Sequence, residues 1–160
     1  MISQGDKIPS VTIKQGTPEG PADVDPAQLF AGKKVIMFSL PGAFTPTCSA
    51  KHLPGYVAKL GELKAQGVDM VACLSVNDAW TMQAWAKEHD AVGKIVMLAD
   101  GAGAFSKALG IETEIPHMGL RARRGVVVIE DGVVKSIEME APGKFEVSSA
   151  DACLASFKKG

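Results

Sequence analysis

Among the side chains able to do covalent chemistry, Cys48 has the most telling surroundings, the stretch Pro41-Gly42-Ala43-Phe44-Thr45-Pro46-Thr47-Cys48. A thiolate attacks and a thiol does not, so a reactive cysteine needs a setting that lowers its pKa from about 8.5. At the start of a helix Cys48 would meet unpaired backbone N–H groups and the positive end of the macrodipole. Thr45 can turn its hydroxyl toward the same pocket, and Pro41 and Pro46 restrict the loop. The dense basic group Arg121-Ala122-Arg123-Arg124 is the obvious source of a nearby cation. The plainer alternatives are a small buried hydrophobe for Cys48 and a solvated basic edge for at least one of the three arginines.

His52 follows Cys48 by four residues, so the two share a helical face. It reads as a polar wall of the pocket rather than as the base of a cysteine hydrolase, whose histidine usually comes from a distant segment. His89 and His117 stand in no pattern with acids or thiols and read as surface residues. The other two cysteines, Cys73 and Cys153, are widely spaced and form no CxxC pair. That argues against structural zinc, and an odd cysteine count argues against a disulfide framework.

These residues need elements to hold them. Lys34–Leu40 is a continuous apolar run stopped by Pro41-Gly42 and reads as a buried central strand. Leu53, Val57, Leu60 and Leu63 recur at helical spacing, so a helix is predicted from about Cys48 to Gln66, ending at Gly67 and bent by Pro54. Val68–Ser75 reads as a second buried strand. Asp78 can cap a helix carrying Trp80 and Trp85. Ile95–Leu98 is a third strand, and Gly103–Leu109 a short helix. Val126–Ile129 and Val133–Ile137 flank Asp131-Gly132 and predict a hairpin. A closing helix with Leu154 and Phe157 can be capped by Ser149 or Asp151. Strands alternating with helices, then a hairpin, predict an α/β fold with a mixed central sheet flanked by helices. Ligands of such sheets gather beyond the carboxyl ends of the parallel strands, where Cys48 falls.

The 160 residues suit one domain, with 46% hydrophobic and 22% charged residues, enough for one core without staples. Seventeen basic and 18 acidic residues give a net charge of −1, which offers neither nucleic acid nor an anionic membrane as partner. No basic segment followed by an apolar run opens the chain, so a cytoplasmic location is the default expectation.

Pro41, Thr45 and Cys48 form the P-x-x-x-T-x-x-C motif of the peroxiredoxins. The longer run PGAFTPTCSAKHLPGY resembles the type II (subfamily five) branch, as do VACLSVND at 71–78, GKIVMLAD at 93–100 and RARRGVVVIEDG at 121–132. The resemblance implies a thioredoxin-like fold and reduction of hydrogen peroxide or alkyl hydroperoxides, with no cofactor. Cys48 would be the peroxidatic cysteine, passing through a sulfenic acid. Thr45 would hydrogen-bond the thiolate and the peroxide, and Pro41 would shield the sulfenate. Arg124, aligned by its distance from the Asp131-Gly132 turn, would hold thiolate and oxyanion, with Arg121 in reserve. Gly42, Phe44 and His52 would line the pocket. Some relatives resolve the sulfenic acid with a cysteine at the position of Cys73, others with one near Ser148-Ser149, and Cys153 fits neither position well. An external thiol, from glutathione with glutaredoxin or from thioredoxin, is the favoured reductant. A homodimer formed beside the active site is expected, with Phe44, Trp80 and Trp85 available to it, although the two tryptophans could equally pack on the sheet. The rival readings are a thiol–disulfide oxidoreductase, which would need the missing CxxC, and a non-enzymatic redox sensor.

Overall fold

In the computed structural model, which describes residues 1–158, the chain opens with a hairpin that its hydropathy did not announce. Strands β1 (Ile13–Thr17) and β2 (Gly20–Val24) pair antiparallel, and the Thr17 hydroxyl donates to the Gly20 carbonyl at 2.6 Å. β2 is largely exposed and carries Pro21, both marks of an edge strand, so it lacks the apolar alternation that would betray it. A one-turn helix, α1 (Pro26–Leu29), is fixed by its Asp25 cap and by Pro26 at its first position.

The elements that carry the site follow in the predicted order. β3 (Lys34–Ser39) leads through the Pro41 loop into a wide π-helical turn, Cys48–His52, and then α2 (Leu53–Ala65). β4 (Met70–Ser75), α3 (Ala79–Glu88), β5 (Val96–Ala99) and α4 (Ala104–Leu109) complete the alternating part. A small antiparallel ribbon of β6 (Glu112–Ile115) and β7 (Gly119–Ala122) then precedes the hairpin of β8 (Gly125–Glu130) and β9 (Val133–Met139). α5 (Ala150–Lys158) closes the chain, and it is Ser149 that caps it, accepting from the Ala152 N–H at 3.0 Å. The ribbon was not anticipated, because its residues are half-exposed and mostly polar.

Helix α2 ends as expected. Gly67 sits at φ 89°, and the N–H groups of Gly67 and Val68 bond back to Lys64 and Leu63. Its start differs from expectation: Pro54 does not bend a continuous helix but follows a π turn, in which the Leu53 N–H reaches the Cys48 carbonyl. A proline ring crowds the carbonyl four residues back in an α turn, and the wider turn relieves that crowding.

The main sheet has the order β2-β1-β5-β4-β3-β8-β9, with β3, β4 and β5 parallel and the outer pairings antiparallel. This is the expected thioredoxin-like mixed sheet. Alternation along β3 sends Ile36 and Phe38 to one face with α2, α3 and α5, and Val35 and Met37 to the other with α1 and α4. Both faces are therefore covered, which is why β3 and β4 read as unbroken apolar runs. Among the described residues no helix is long and apolar enough to cross a membrane.

Candidate active site

β3 and β4 deliver their ends side by side, and side chains there fix the loop between β3 and Cys48. The Leu40 N–H bonds the Leu74 carbonyl at 3.2 Å, and Asn77 Oδ1 accepts from the Ala43 N–H at 3.0 Å and from the Ser75 hydroxyl at 2.6 Å. Gly42 has little room to spare in this loop: a Cβ there would lie 3.0 Å from Arg121 Nη1 and 3.3 Å from Thr45 Cγ2. Phe44 adopts φ 64°, uncommon outside glycine, and its side chain points outward. The Thr45 carbonyl then accepts from the Ser49 N–H at 2.9 Å, with Pro46 at the first helical position. Cys48 consequently sits in the first turn, fully buried.

The cation comes from the residue just before β8. Arg124 Nη2 donates to Cys48 Sγ at 2.9 Å, and Nη1 lies 2.8 Å from His52 Nδ1. Hydrogen bonds from a charged donor are roughly twice as strong as neutral ones, so this guanidinium is well placed to hold a sulfur anion. The next residue can only be glycine, since a Cβ on Gly125 would meet Met139 Cε at 2.0 Å and the Glu138 carbonyl at 2.8 Å. Phe145 lies across the guanidinium, its ring centre 5.8 Å from Arg124 Cζ.

Arg121, the reserve candidate, does not touch the sulfur. It spans the loop instead, donating to the carbonyls of Pro41 at 3.3 Å, Val76 at 3.2 Å and Met118 at 3.2 Å. Arg123 comes nearest to the expected solvated edge, with long contacts of 3.5 Å to the Glu140 carbonyl and 3.8 Å to Met1 Sδ. Thr45 departs from expectation. Its hydroxyl donates to the Gly42 carbonyl at 2.7 Å rather than to the sulfur, so toward any further partner it can only accept.

His52 is no pocket wall but a wholly buried residue, with Nε2 3.0 Å from the Ser148 carbonyl. Burial first, and then the Arg124 charge, lower its pKa from 6.5 to about 3. Of the other two histidines, His117 is exposed, whereas His89 is half-buried against the edge of Trp85.

Four participants had no signal in the sequence: Tyr56, Glu140, Phe145 and Ser148. Both oxygens of the buried Glu140 carboxylate accept hydrogen bonds, from the N–H groups of Glu146, Val147 and Ser148 and from the Ser148 hydroxyl at 2.7 Å. Burial opposes the charge, but these donors outweigh it and hold the Glu140 pKa below the ordinary carboxylate range. The segment 141–149 is thus folded over a charged pivot. Only the turn chemistry of Ala141-Pro142-Gly143 hints at this in the sequence.

All three cysteines are free and buried. Cys73 pairs in register with Phe38 in the sheet interior, where burial, with Cys48 nearby, pushes its thiol pKa well up. Burial pushes Cys153 up to about 11, partly offset by Tyr56 and Lys34. Trp85 is fully buried, its indole N–H donating to the Ser49 hydroxyl at 2.9 Å, so of the two expected alternatives it takes the packing role. Phe44 and Trp80 remain exposed, by 51% and 71%. Beside the thiol opens a cleft of about 560 Å³, lined by Pro41, Thr47, Ile115, Pro116, Arg124 and Phe145 among others. Among the described residues no group of three or more His, Cys, Asp or Glu could hold a metal ion.

This constellation has relatives. The Redoxin family model matches residues 3–154. Peroxiredoxin-2B of Arabidopsis thaliana is 43% identical over 158 residues, covering 96% of each chain. The chloroplastic Peroxiredoxin-2E of the same plant is 45% identical over 159 residues, 96% of this chain and 68% of that one. A solved structure of reduced Prx3 from Vibrio vulnificus in complex with H2O2 superposes with a TM-score of 0.94 at 49% identity, covering 98% of this chain and 99% of that one.

Proposed function

This chain belongs to the peroxiredoxins, thiol-dependent peroxidases, and on that footing we propose that Cys48 reduces hydrogen peroxide and alkyl hydroperoxides and is itself regenerated by an external thiol. The observation that carries the reading is the buried sulfur held 2.9 Å from Arg124 Nη2. The Cys48 thiolate attacks one peroxide oxygen, an S–O bond forms and the O–O bond breaks. The electron pair leaves on the distal oxygen, which takes a proton to become water or an alcohol, and Cys48 is left as a sulfenic acid. Arg124 stabilises charge on sulfur and on the oxygens in flight. Thr45, its own proton committed to Gly42, accepts the peroxide O–H and orients it. Pro41 keeps water off the sulfenate.

Hydrogen peroxide is supported by the Vibrio vulnificus relative solved with that molecule. Alkyl hydroperoxides are supported by the cleft of about 560 Å³, far larger than hydrogen peroxide needs and partly walled by Ile115, Pro116 and Phe145.

The sulfenic acid requires a second sulfur. Cys73 and Cys153 are buried, with thiols pushed up in pKa, and are therefore weak nucleophiles. An external thiol is the better candidate. It attacks the sulfenic sulfur, releases water and leaves a mixed disulfide, which a second thiol cleaves to return the Cys48 thiol. A reducing compartment such as the cytoplasm supplies glutathione, glutaredoxin and thioredoxin for this. Peroxide turnover with the glutathione–glutaredoxin and thioredoxin systems side by side identifies the reductant. After one equivalent of peroxide and glutathione, mass spectrometry is expected to find Cys48 glutathionylated. A Cys48–Cys73 or Cys48–Cys153 disulfide formed instead would overturn external resolution.

We read the exposed Phe44 and Trp80 as the centre of a homodimer interface. The hydrogen bond from Ala43 to Asn77 brings their two loops together beside the site, so the exposed aromatics share a neighbourhood. Sedimentation at high micromolar concentration is expected to show a dimer that Trp80→Arg converts to monomer. A wild-type monomer there would rule the interface out.

A further inference from the structure

Arg123 is fixed by its backbone and uncommitted at its side chain. Its N–H donates to the Ile111 carbonyl at 2.8 Å, and its own carbonyl accepts from the Ser39 hydroxyl at 2.7 Å. The half-buried side chain makes only the long contacts to the Glu140 carbonyl and Met1 Sδ, and among the described residues no carboxylate pairs with it. A guanidinium offers five donors in a planar fork that matches a carboxylate, so most of this one's capacity is unused. Lys144 is exposed and likewise has no ion pair among the described residues. It is presented by a tight turn in which its N–H bonds the Ala141 carbonyl at 2.9 Å.

Both cations line the cleft of about 560 Å³ that Arg124 also lines, beside the Cys48 sulfur. Much of the remaining wall is apolar, Ile115, Pro116, Pro142 and Phe145. Two acids line it as well, and neither cancels the cations. Glu140 is buried and spends its oxygens on the N–H groups of Glu146, Val147 and Ser148. Glu114 is exposed on the β6–β7 ribbon and, among the described residues, pairs with neither Arg123 nor Lys144. We infer that Arg123, supported by Lys144, makes the cleft selective for hydroperoxides whose apolar chain ends in a carboxylate. The peroxide group meets Cys48 and Arg124, the chain lies on the apolar wall, and the carboxylate takes the fork of Arg123.

Neighbouring arginines thus divide two tasks. Arg124 is engaged with Cys48 and His52, and a carboxylate drawn to it would compete with the thiolate. A second cation, free of the sulfur, gives an anionic substrate a place to bind without blocking the nucleophile. The apolar wall alone would favour any bulky hydroperoxide, and the two cations single out the anionic ones. Hydrogen peroxide carries no carboxylate and draws nothing from Arg123. Because Arg123 is half-buried, its bond to a carboxylate falls between an exposed ion pair and a buried charge-assisted bond, about 5- to 20-fold in rate constant.

The inference rests on Cys48 being the peroxide-reducing thiol. Its probes are linoleic acid hydroperoxide and the methyl ester of the same molecule, which share chain and peroxide and differ in charge. Single-turnover oxidation of Cys48, with no reductant added and both probes below their micellar concentrations, leaves the peroxide as the sole source of a carboxylate. The readout is the acid-to-ester ratio of second-order rate constants within each variant, which cancels any general effect of a substitution beside Arg124. Wild type is expected to prefer the acid by about 5- to 20-fold, and the preference should shrink as salt is raised. Arg123→Gln should bring the ratio to within about 2-fold of unity, Arg123→Glu should reverse it, and Arg123→Lys should keep it within about 3-fold of wild type. Lys144→Gln, at an exposed position, should lower it only about 2-fold. Equal rates for acid and ester in wild type, or a ratio that Arg123→Gln leaves unchanged, would overturn the assignment. If Arg123→Gln does not fold, the wild-type ratio and its salt dependence decide, and a preference indifferent to salt overturns it. Peroxide consumption by Cys48→Ser, run in parallel, would instead refute the peroxidase reading beneath it.

Discussion

Cys48→Ser is expected to consume no peroxide above the rate of buffer and reductant alone, and to fold. Sulfur at this position is both a soft nucleophile and an acceptor of oxygen; a serine hydroxyl is neither. The replacement is nearly isosteric, and its hydroxyl can still accept from Arg124 Nη2, so the buried guanidinium keeps a partner. Melting temperature and circular dichroism should stay close to wild type while peroxide loss, followed with a thiol reductant in excess, disappears. The same assay separates an enzyme from a redox sensor. A sensor would consume one equivalent of peroxide per Cys48 and stop, whereas the enzyme turns over for as long as thiol is supplied. Cys73→Ser and Cys153→Ser make the contrast sharper, because external resolution requires neither sulfur. Turnover persisting in Cys48→Ser would end this account of the protein.

The part of this site that could be read from the chain is the part that local rules decide. An apolar run stopped by Pro41-Gly42, followed by helical spacing from Leu53, places a cysteine at a strand-to-helix junction without any tertiary information. Arginine was legible as a type, and its number only through the resemblance. What distinguishes Arg124 from Arg121 is the direction each side chain takes from the β6–β7 ribbon and the start of β8, and that ribbon gave no hydrophobic period to read. His52 shows the limit most plainly. Its spacing from Cys48 promised a shared face and suggested a pocket wall, but its burial comes from Phe145 and the Ser148 carbonyl, some 90 residues away in the chain. Glu140 was illegible for the same reason, since its donors are backbone N–H groups of a loop whose path no side-chain pattern records. The π turn at Cys48–His52 lies between these cases. Pro54 gave notice of an irregularity, and only the fold shows that it is resolved by widening the turn rather than by bending the helix.

Arg124→Gln is expected to lower the rate constant for Cys48 oxidation by about 10²- to 10³-fold, the loss typical of one preorganised oxyanion donor. Glutamine removes the charge and the fork while leaving a polar chain of similar reach. Arg124→Lys tests which of these matters. It restores the charge as a compact ammonium, but a single nitrogen cannot hold the fixed fork with which arginine meets both the sulfur and His52. If charge alone sufficed, lysine would recover nearly all of the rate. The two-partner geometry instead predicts a recovery of roughly 10-fold at most, leaving lysine well below wild type. The substitution should not loosen the covering segment, because Glu140 and not Arg124 receives its N–H groups. Hydrogen peroxide and a bulky alkyl hydroperoxide should lose rate together, since Arg124 acts on the oxygens common to both. A loss below about 3-fold for Arg124→Gln would mean that the short contact to Cys48 is packing rather than catalysis. A selective loss for the bulky substrate would move Arg124 from the transition state to the wall of the cleft.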